Sequence, residues 1–219
     1  MLIAGELSLE VPQISYTDVV KFFQQTEEEH KKYNTLYKDE EIYKKINSRP
    51  HPWQRRLLEF KGVPRYNYRN KKLFSELLPV IDQLPIVLKT RQVLLLFQNP
   101  QPPYDFGWHF DGDRQYGFRI CIGVDTDKPF LEFIKIKENY SYVKTERAMV
   151  IDSNMVEGNV YQIIPSKPNT VICINGEYYP HRVPIDHGLS LARVVVIVKG
   201  ELTTTEFDLS QRITNELHI

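Results

Sequence analysis

Two segments of the sequence combine residue types that bind metal ions. The first is His109-Phe110-Asp111, and the second, seventy residues beyond Asp111, contains His181. Because side chains alternate between the faces of an extended segment, His109 and Asp111 should project to the same side. His181, brought in from a distant strand, would complete a face of two histidines and one carboxylate. Such a face leaves three octahedral positions on Fe(II) open for oxygen chemistry, so the pattern predicts a non-haem iron site.

Two arginines could bind a cosubstrate beside such a site. Splitting dioxygen requires a reductant as well as iron, and a 2-oxoacid can occupy two metal positions and supply the electrons. Arg193 begins an apolar run twelve residues after His181, and its guanidinium would match the far carboxylate of 2-oxoglutarate. Arg119, which opens an earlier strand, is a second candidate, either for 2-oxoglutarate or for a carboxylate on the substrate. The expected cofactors are Fe(II), 2-oxoglutarate and O2.

Each of these residues taken alone also has a structural interpretation. A His-x-Asp pair is commonly a hydrogen-bonded surface pair, and an arginine at a strand start commonly makes a local ion pair. The order of the residues along the β-rich part of the chain favours the metal site. His187 and Asp113 compete as ligands with His181 and Asp111, and we prefer the latter two because they lie nearer the predicted strands.

The strands that would position these residues are predicted in the second part of the chain. Short β-branched or aromatic runs separated by turn-forming residues predict strands at 93–97, 118–124, 130–136, 149–152, 159–164, 170–174 and 193–198. Several short strands at this spacing are typical of a sandwich or barrel.

The first ninety residues differ in character. Residues 15–43 are rich in Glu, Lys and Gln, and Thr17 followed by Val19, Val20, Phe22 and Phe23 predicts a capped amphipathic helix. Residues 72–84 predict another helix, and 49–70 an irregular connection anchored by aromatic residues. We expect one domain over 1–219, with a helical lead-in at 1–90 that buttresses a β core at 91–200, and a C-terminal tail at 201–219.

Composition restricts the classes of function. The chain of 219 residues is 42% hydrophobic, and its 28 basic and 28 acidic residues cancel, so no global field attracts nucleic acid or a membrane surface. Neither a signal peptide nor a membrane-spanning segment is predicted. Cys121 and Cys173 lie in apolar runs, which favours buried reduced thiols over a disulfide. These features together predict a cytoplasmic protein.

The chain resembles the Fe(II)- and 2-oxoglutarate-dependent oxygenase superfamily, and more narrowly its branch of aspartyl/asparaginyl β-hydroxylases and bacterial proline hydroxylases. The resemblance covers about half of the chain, from Val93 to Gly200. The matching segments are Trp108-His109-Phe110-Asp111, Tyr116-Gly117-Phe118-Arg119-Ile120-Cys121-Ile122, Gly158-Asn159-Val160-Tyr161, Asn175-Gly176-Glu177-Tyr178-Tyr179-Pro180-His181-Arg182-Val183 and Arg193-Val194-Val195-Val196.

This resemblance implies a double-stranded β-helix, the cupin-like jelly roll, over the β core. It implies that His109, Asp111 and His181 bind iron, that Arg193 anchors 2-oxoglutarate, and that Arg119 lies in the active site. Some β-hydroxylases of this branch lack the carboxylate ligand, whereas Asp111 is present here. The family often has a histidine two positions after the arginine that matches Arg119, and here that position is Cys121.

The predicted function is therefore that of an oxidoreductase, a dioxygenase that hydroxylates an unactivated C–H bond and releases succinate and CO2. An amino acid or amino-acid-like small molecule is the favoured substrate, because the domain is small and carries an extra arginine. The alternatives are hydroxylation of a residue in a peptide or protein, a non-catalytic cupin-like metal- or ligand-binding protein, and a β-sandwich interaction module without metal. Asp111 argues against halogenation, and the sequence does not indicate an oligomeric state.

Overall fold

The computed structural model describes residues 2–36, 53–64, 71–98, 107–111, 117–122, 126–137, 141–144, 148–151, 153–175, 179–184 and 193–218. The side chains of Asp111 and Arg193 are outside this description, although their backbones lie in strands. The helices are α1 (Tyr16–Leu36), α2 (Lys72–Ile81) and α3 (Glu206–Ser210), with a 3-10 turn at Ser153–Met155.

Fourteen strands are assigned within these residues. They are β1 (Leu2–Leu7), β2 (Trp53–Phe60), β3 (Val63–Pro64), β4 (Gln92–Gln98), β5 (His109–Asp111), β6 (Gly117–Ile122), β7 (Leu131–Ile136), β8 (Tyr142–Lys144), β9 (Ala148–Ile151), β10 (Val156–Ile163), β11 (Thr170–Ile174), β12 (His181–Arg182), β13 (Arg193–Lys199) and β14 (Ile213–His218).

The strands form two antiparallel sheets. The larger has the order β14-β1-β11-β6-β13-β4-β2-β3, and the smaller has the order β10-β7-β12-β5-β9-β8. Apart from the consecutive pairs β2–β3 and β8–β9, neighbours in both sheets are not consecutive along the chain, so the pairing is not a series of simple hairpins. A mainly β protein with few helices was predicted, and the two sheets confirm that class.

The two long helices cover one face of the larger sheet. In α2, apolar residues recur at helical spacing and are buried: Leu73, Phe74, Leu77, Val80 and Ile81. They share a core with buried α1 residues and with alternate residues of the sheet, including Val194, Val196 and Val198 of β13. Each large side chain so buried stabilises the fold by about 1.5–3 kcal/mol. The helices therefore buttress the sheet, as predicted.

The opposite face of the larger sheet packs against the smaller sheet. A second cluster of buried apolar side chains lies between the two sheets. It includes Val195 on β13, Cys121 on β6, and Leu131 and Phe133 of β7. Alternation thus divides β13 between two cores, with one set of valines facing the helices and Val195 facing the smaller sheet. We call this second cluster the inter-sheet core.

Several predicted elements are confirmed and others are corrected. The strands predicted at 93–97, 118–124, 130–136, 149–152, 159–164, 170–174 and 193–198 correspond to β4, β6, β7, β9, β10, β11 and β13. The helix predicted at 72–84 ends earlier, at Ile81. Helix α1 begins at Tyr16, and its cap is two residues before the expected Thr17, because the hydroxyl of Ser15 accepts the backbone N–H of Asp18.

The irregular connection predicted at 49–70 is wrong over Trp53–Phe60, which forms β2 and pairs with β4. Strands β1 and β14 were not predicted either, and both belong to the larger sheet. The division into lead-in, core and tail stays a prediction. Among the helices described, none combines the length and the apolar character needed to cross a membrane.

Candidate metal centre

Two histidines from distant parts of the chain face each other in the smaller sheet. His109 on β5 is the register partner of His181 on β12, and their ring centroids are 4.6 Å apart. Register partners in an antiparallel pair point to the same face of a sheet. His181 is 3% exposed, so its imidazole is held within the protein.

The separation of the rings fits two neighbouring ligands of one metal ion. A metal–nitrogen bond of about 2.0–2.1 Å puts the centre of a bound imidazole about 3.2 Å from the metal. In an octahedral site, the bonds to two neighbouring ligands form an angle of about 90° at the metal, which would put the ring centroids about 4.5 Å apart. The observed 4.6 Å agrees with this arrangement.

The tautomer of His109 also suits metal binding. Its Nδ1 lies 2.9 Å from the carbonyl oxygen of Gly107, and a carbonyl can only accept, so Nδ1 donates the hydrogen bond. Nε2 of the neutral ring is then left with its lone pair, as a metal ligand requires. Gly107 has φ of +73°, a left-handed conformation in which a residue with a Cβ would be strained.

Asp111 follows on the same strand as His109 and pairs with Ala148 of β9. Two residues along a strand return to the same face, so position 111 is in phase with His109. No group of three or more metal-binding side chains is complete among those that the structure describes, and the Asp111 side chain is not one of these. Its role as third ligand stays a prediction.

An apolar wall adjoins the histidine pair. Phe133 of β7 is the register partner of His181 on the other side, and their ring centroids are 6.0 Å apart. Phe133 is fully buried and belongs to the inter-sheet core. The imidazoles therefore lie on the inner face of the smaller sheet, against the apolar interior.

The two candidate arginines are on the larger sheet, at different positions along the direction of β13. Arg193 begins β13 and its backbone pairs with Gln98, while its side chain lies outside the description. Arg119 on β6 pairs with Ile197 of β13, four residues farther along, which is about 13 Å at 3.3 Å per residue. Arg119 is 5% exposed and in phase with Cys121 of the inter-sheet core.

The guanidinium of Arg119 lies over Gly117. A Cβ at position 117 would be 2.4 Å from Nη1 of Arg119, so any larger residue there would require the guanidinium to move. Gly117 pairs with Lys199, at the end of β13 remote from Arg193. The Arg119 guanidinium is thus directed away from the end of β13 at which the Arg193 backbone lies.

The cysteines are free thiols, as the sequence predicted. Burial raises the pKa of the Cys173 thiol to about 12, against the opposing effect of the Arg119 charge. Cys121 contributes its side chain to the inter-sheet core. At this position of the sequence, the family that the chain resembles often has a histidine. The competing ligands His187 and Asp113 lie outside the described residues.

The sequence analysis gave no role to three residues that adjoin the histidines: Trp108, Glu132 and Arg182. They lie on the outer face of the smaller sheet, directly behind the histidines. Nε of Arg182 donates to Oε2 of Glu132 at 2.8 Å, and the Arg182 guanidinium carbon is 4.3 Å from the centroid of Trp108. A signal was present, because Glu132 interrupts the apolar strand Leu131–Ile136.

Comparisons with known proteins give limited similarity. No family model and no curated protein matches the sequence. Among solved structures, the selenomethionine-labelled Fe(II)/(alpha)ketoglutarate-dependent dioxygenase TqaL is similar with a TM-score of 0.39 and 12% identity, over 93% of this chain and 78% of that one. A bsmA homolog from Methylobium petroleophilum PM1 has a TM-score of 0.34 and 12% identity, over 64% of this chain and 55% of that one. Scores at this level decide neither the fold family nor the activity of this chain.

Proposed function

We propose that this protein is an Fe(II)- and 2-oxoglutarate-dependent dioxygenase that hydroxylates a carboxylate-bearing amino acid or a similar small molecule. The two sheets with their apolar interior are proposed to be the double-stranded β-helix that the sequence resemblance implies. The observation that carries the proposal is the pairing of His109 with His181 at a ring separation of 4.6 Å.

Each residue has a distinct part in this proposal. His109, Asp111 and His181 would hold Fe(II), and the carbonyl of Gly107 favours the tautomer of His109 whose Nε2 carries the lone pair that a metal would need. Arg193 pairs with the far carboxylate of 2-oxoglutarate. Bound iron and 2-oxoglutarate supply the oxidation, in which O2 provides the hydroxyl oxygen and 2-oxoglutarate becomes succinate and CO2.

The substrate class is inferred from Arg119. Its guanidinium is buried, lies on the inner face of the larger sheet and is directed away from the end of β13 at which the Arg193 backbone lies. This supports assigning Arg119 to a carboxylate on the substrate rather than to 2-oxoglutarate. Every free amino acid carries an α-carboxylate, whereas a residue inside a peptide carries a carboxylate only if it is Asp or Glu, so a small molecule is favoured over a protein.

The binding test is anaerobic addition of Fe(II) and 2-oxoglutarate to metal-free protein. We expect a weak visible charge-transfer band from the chelated 2-oxoacid, lost in His181→Ala and weakened in Arg193→Ala. Lys199→Met removes a cation from the other end of the same strand and is the matched control, which should keep the band. Folded wild-type protein that gives no band would rule out the proposed oxygenase.

The substrate test measures succinate release from 2-oxoglutarate and O2. Free L-amino acids should stimulate release, and the corresponding amides, which lack the carboxylate, should not. Arg119→Met should raise KM for the amino acid more than it changes KM for 2-oxoglutarate. Equal stimulation by amides or by short peptides would contradict the small-molecule assignment and favour a peptide or protein substrate.

A further inference from the structure

The outer face of the smaller sheet carries an ion pair directly behind the two histidines. Arg182 immediately follows His181, so its side chain points to the face opposite the imidazole. Its partner Glu132 belongs to β7, and the Glu132 side chain is 10% exposed. Nε2 of Gln162, from β10, donates to the other carboxylate oxygen at 2.8 Å. The carboxylate is thus held from two neighbouring strands.

The same arginine also contacts the second histidine strand. Its guanidinium lies over the ring of Trp108, which immediately precedes His109 and is 6% exposed. The backbone carbonyl of Trp108 accepts from the N–H of Ile151 at 2.8 Å, which joins it to β9. Arg182, the residue after His181, therefore contacts Trp108, the residue before His109.

The backbone holds β12 more fully to β7 than to β5. Both residues of this strand pair with β7, whereas only His181 pairs with β5. The N–H of Ile134 in β7 also donates to the carbonyl oxygen of Pro180, at 3.3 Å. The contact of Arg182 with Trp108 therefore adds to a single backbone pair on the side of β5.

We propose that Arg182 is a positioning residue, which keeps His181 opposite His109 by joining Glu132 to Trp108 behind the metal centre. This inference rests on the metal-binding part of the proposed function. The planar guanidinium suits both contacts, since it can donate in its plane to the carboxylate while its face lies on the indole. Disturbing it should alter the spacing of the two imidazoles and thereby the metal affinity.

Co(II) binding tests the proposal without relying on turnover. We expect Arg182→Met and Glu132→Gln to raise the Co(II) dissociation constant by about ten- to hundredfold, with a changed visible Co(II) spectrum. Arg182→Lys keeps the charge but not the planar group and should restore only part of the affinity. Should Arg182→Met fail to fold, Arg182→Lys and Glu132→Gln carry the same test.

A stability control separates positioning from general destabilisation. Leu77→Ala removes a buried side chain of α2, on the far face of the larger sheet, and should lower the melting temperature without changing Co(II) affinity. Equal Co(II) affinity in wild type and Arg182→Met overturns the inference, as does an equal loss of affinity in Leu77→Ala. If the wild-type protein binds no Co(II), the proposed function is overturned and this inference with it. The same holds if His181→Ala binds Co(II) as tightly as the wild type does.

Discussion

Gly117 provides the space in which the guanidinium of Arg119 lies. A Cβ atom at position 117 would approach Nη1 of Arg119 to 2.4 Å. Arg119 is 5% exposed, so its guanidinium has little room to move aside. The absence of a Cβ at position 117 therefore allows the guanidinium to occupy this buried position.

Gly117→Ala should lower the free energy of unfolding by about 1–3 kcal/mol, because the added methyl overpacks the interior. The cost should largely disappear when the substitution is made in Arg119→Ala, since the clashing group is then absent. Urea denaturation of the four proteins in a double-mutant cycle measures this coupling. The same cost in both backgrounds would contradict the predicted clash.

Arg91 should be critical to stability but not to metal binding. It donates to both oxygens of Glu59, at 2.5 and 3.1 Å, and to Asp82 at 2.8 Å, and Glu59 is fully buried. Arg91→Met leaves a buried carboxylate without its ion pair and should cost about 3–5 kcal/mol. Replacing both partners, as Arg91→Met with Glu59→Leu, should cost less. Urea denaturation decides between these outcomes, with Co(II) affinity as the control that should not change.

The two cysteines should be unreactive in the folded protein. Cys121 is fully buried and Cys173 is 1% exposed, and burial raises the pKa of Cys173 to about 12. Because the thiolate is the reactive form, a thiol reagent at about pH 8 should modify neither residue until the chain is unfolded. The raised pKa means that Cys173 remains protonated as the pH rises through the ordinary thiol range. Rapid labelling of Cys173 in native protein, read by mass spectrometry, would contradict the buried position.

Metal binding should stabilise the fold through the histidine pair. A ligand that binds only the folded state at a hundred times its dissociation constant contributes about 2.7 kcal/mol. Anaerobic Fe(II) should therefore raise the melting temperature of the wild-type protein, and a chelator should reverse the rise. His109→Ala and His181→Ala should each remove the effect. His218, which is exposed and pairs with Glu216, offers a matched control in His218→Ala.

Local patterns allowed many of the elements to be predicted. Strands β4, β6, β11 and β13 are apolar runs bounded by turn residues, and α2 has apolar residues at helical spacing. The strands that escaped prediction have a physical reason in common, because polar or charged residues interrupt their apolar pattern. In β2, Arg56 and Glu59 are buried, and in β1 so is Glu6.

Those buried charged groups are acceptable only because distant residues form ion pairs or hydrogen bonds with them. Arg56 donates to Glu27 of α1, and Arg91 of the segment before β4 donates to Glu59. Glu6 accepts hydrogen bonds from Ser166 and Asn215. Such partners lie 29 or more residues away, so no local window of sequence contains the reason for burial.

The sequence by itself determined the candidate ligands, because the spacing of His109 and Asp111 is a local property of an extended strand. Only the tertiary structure decided that His181 lies opposite His109 and that Arg182 lies between Glu132 and Trp108. Register between strands about seventy residues apart depends on how both sheets pack, and a one-residue shift would turn His181 to the outer face.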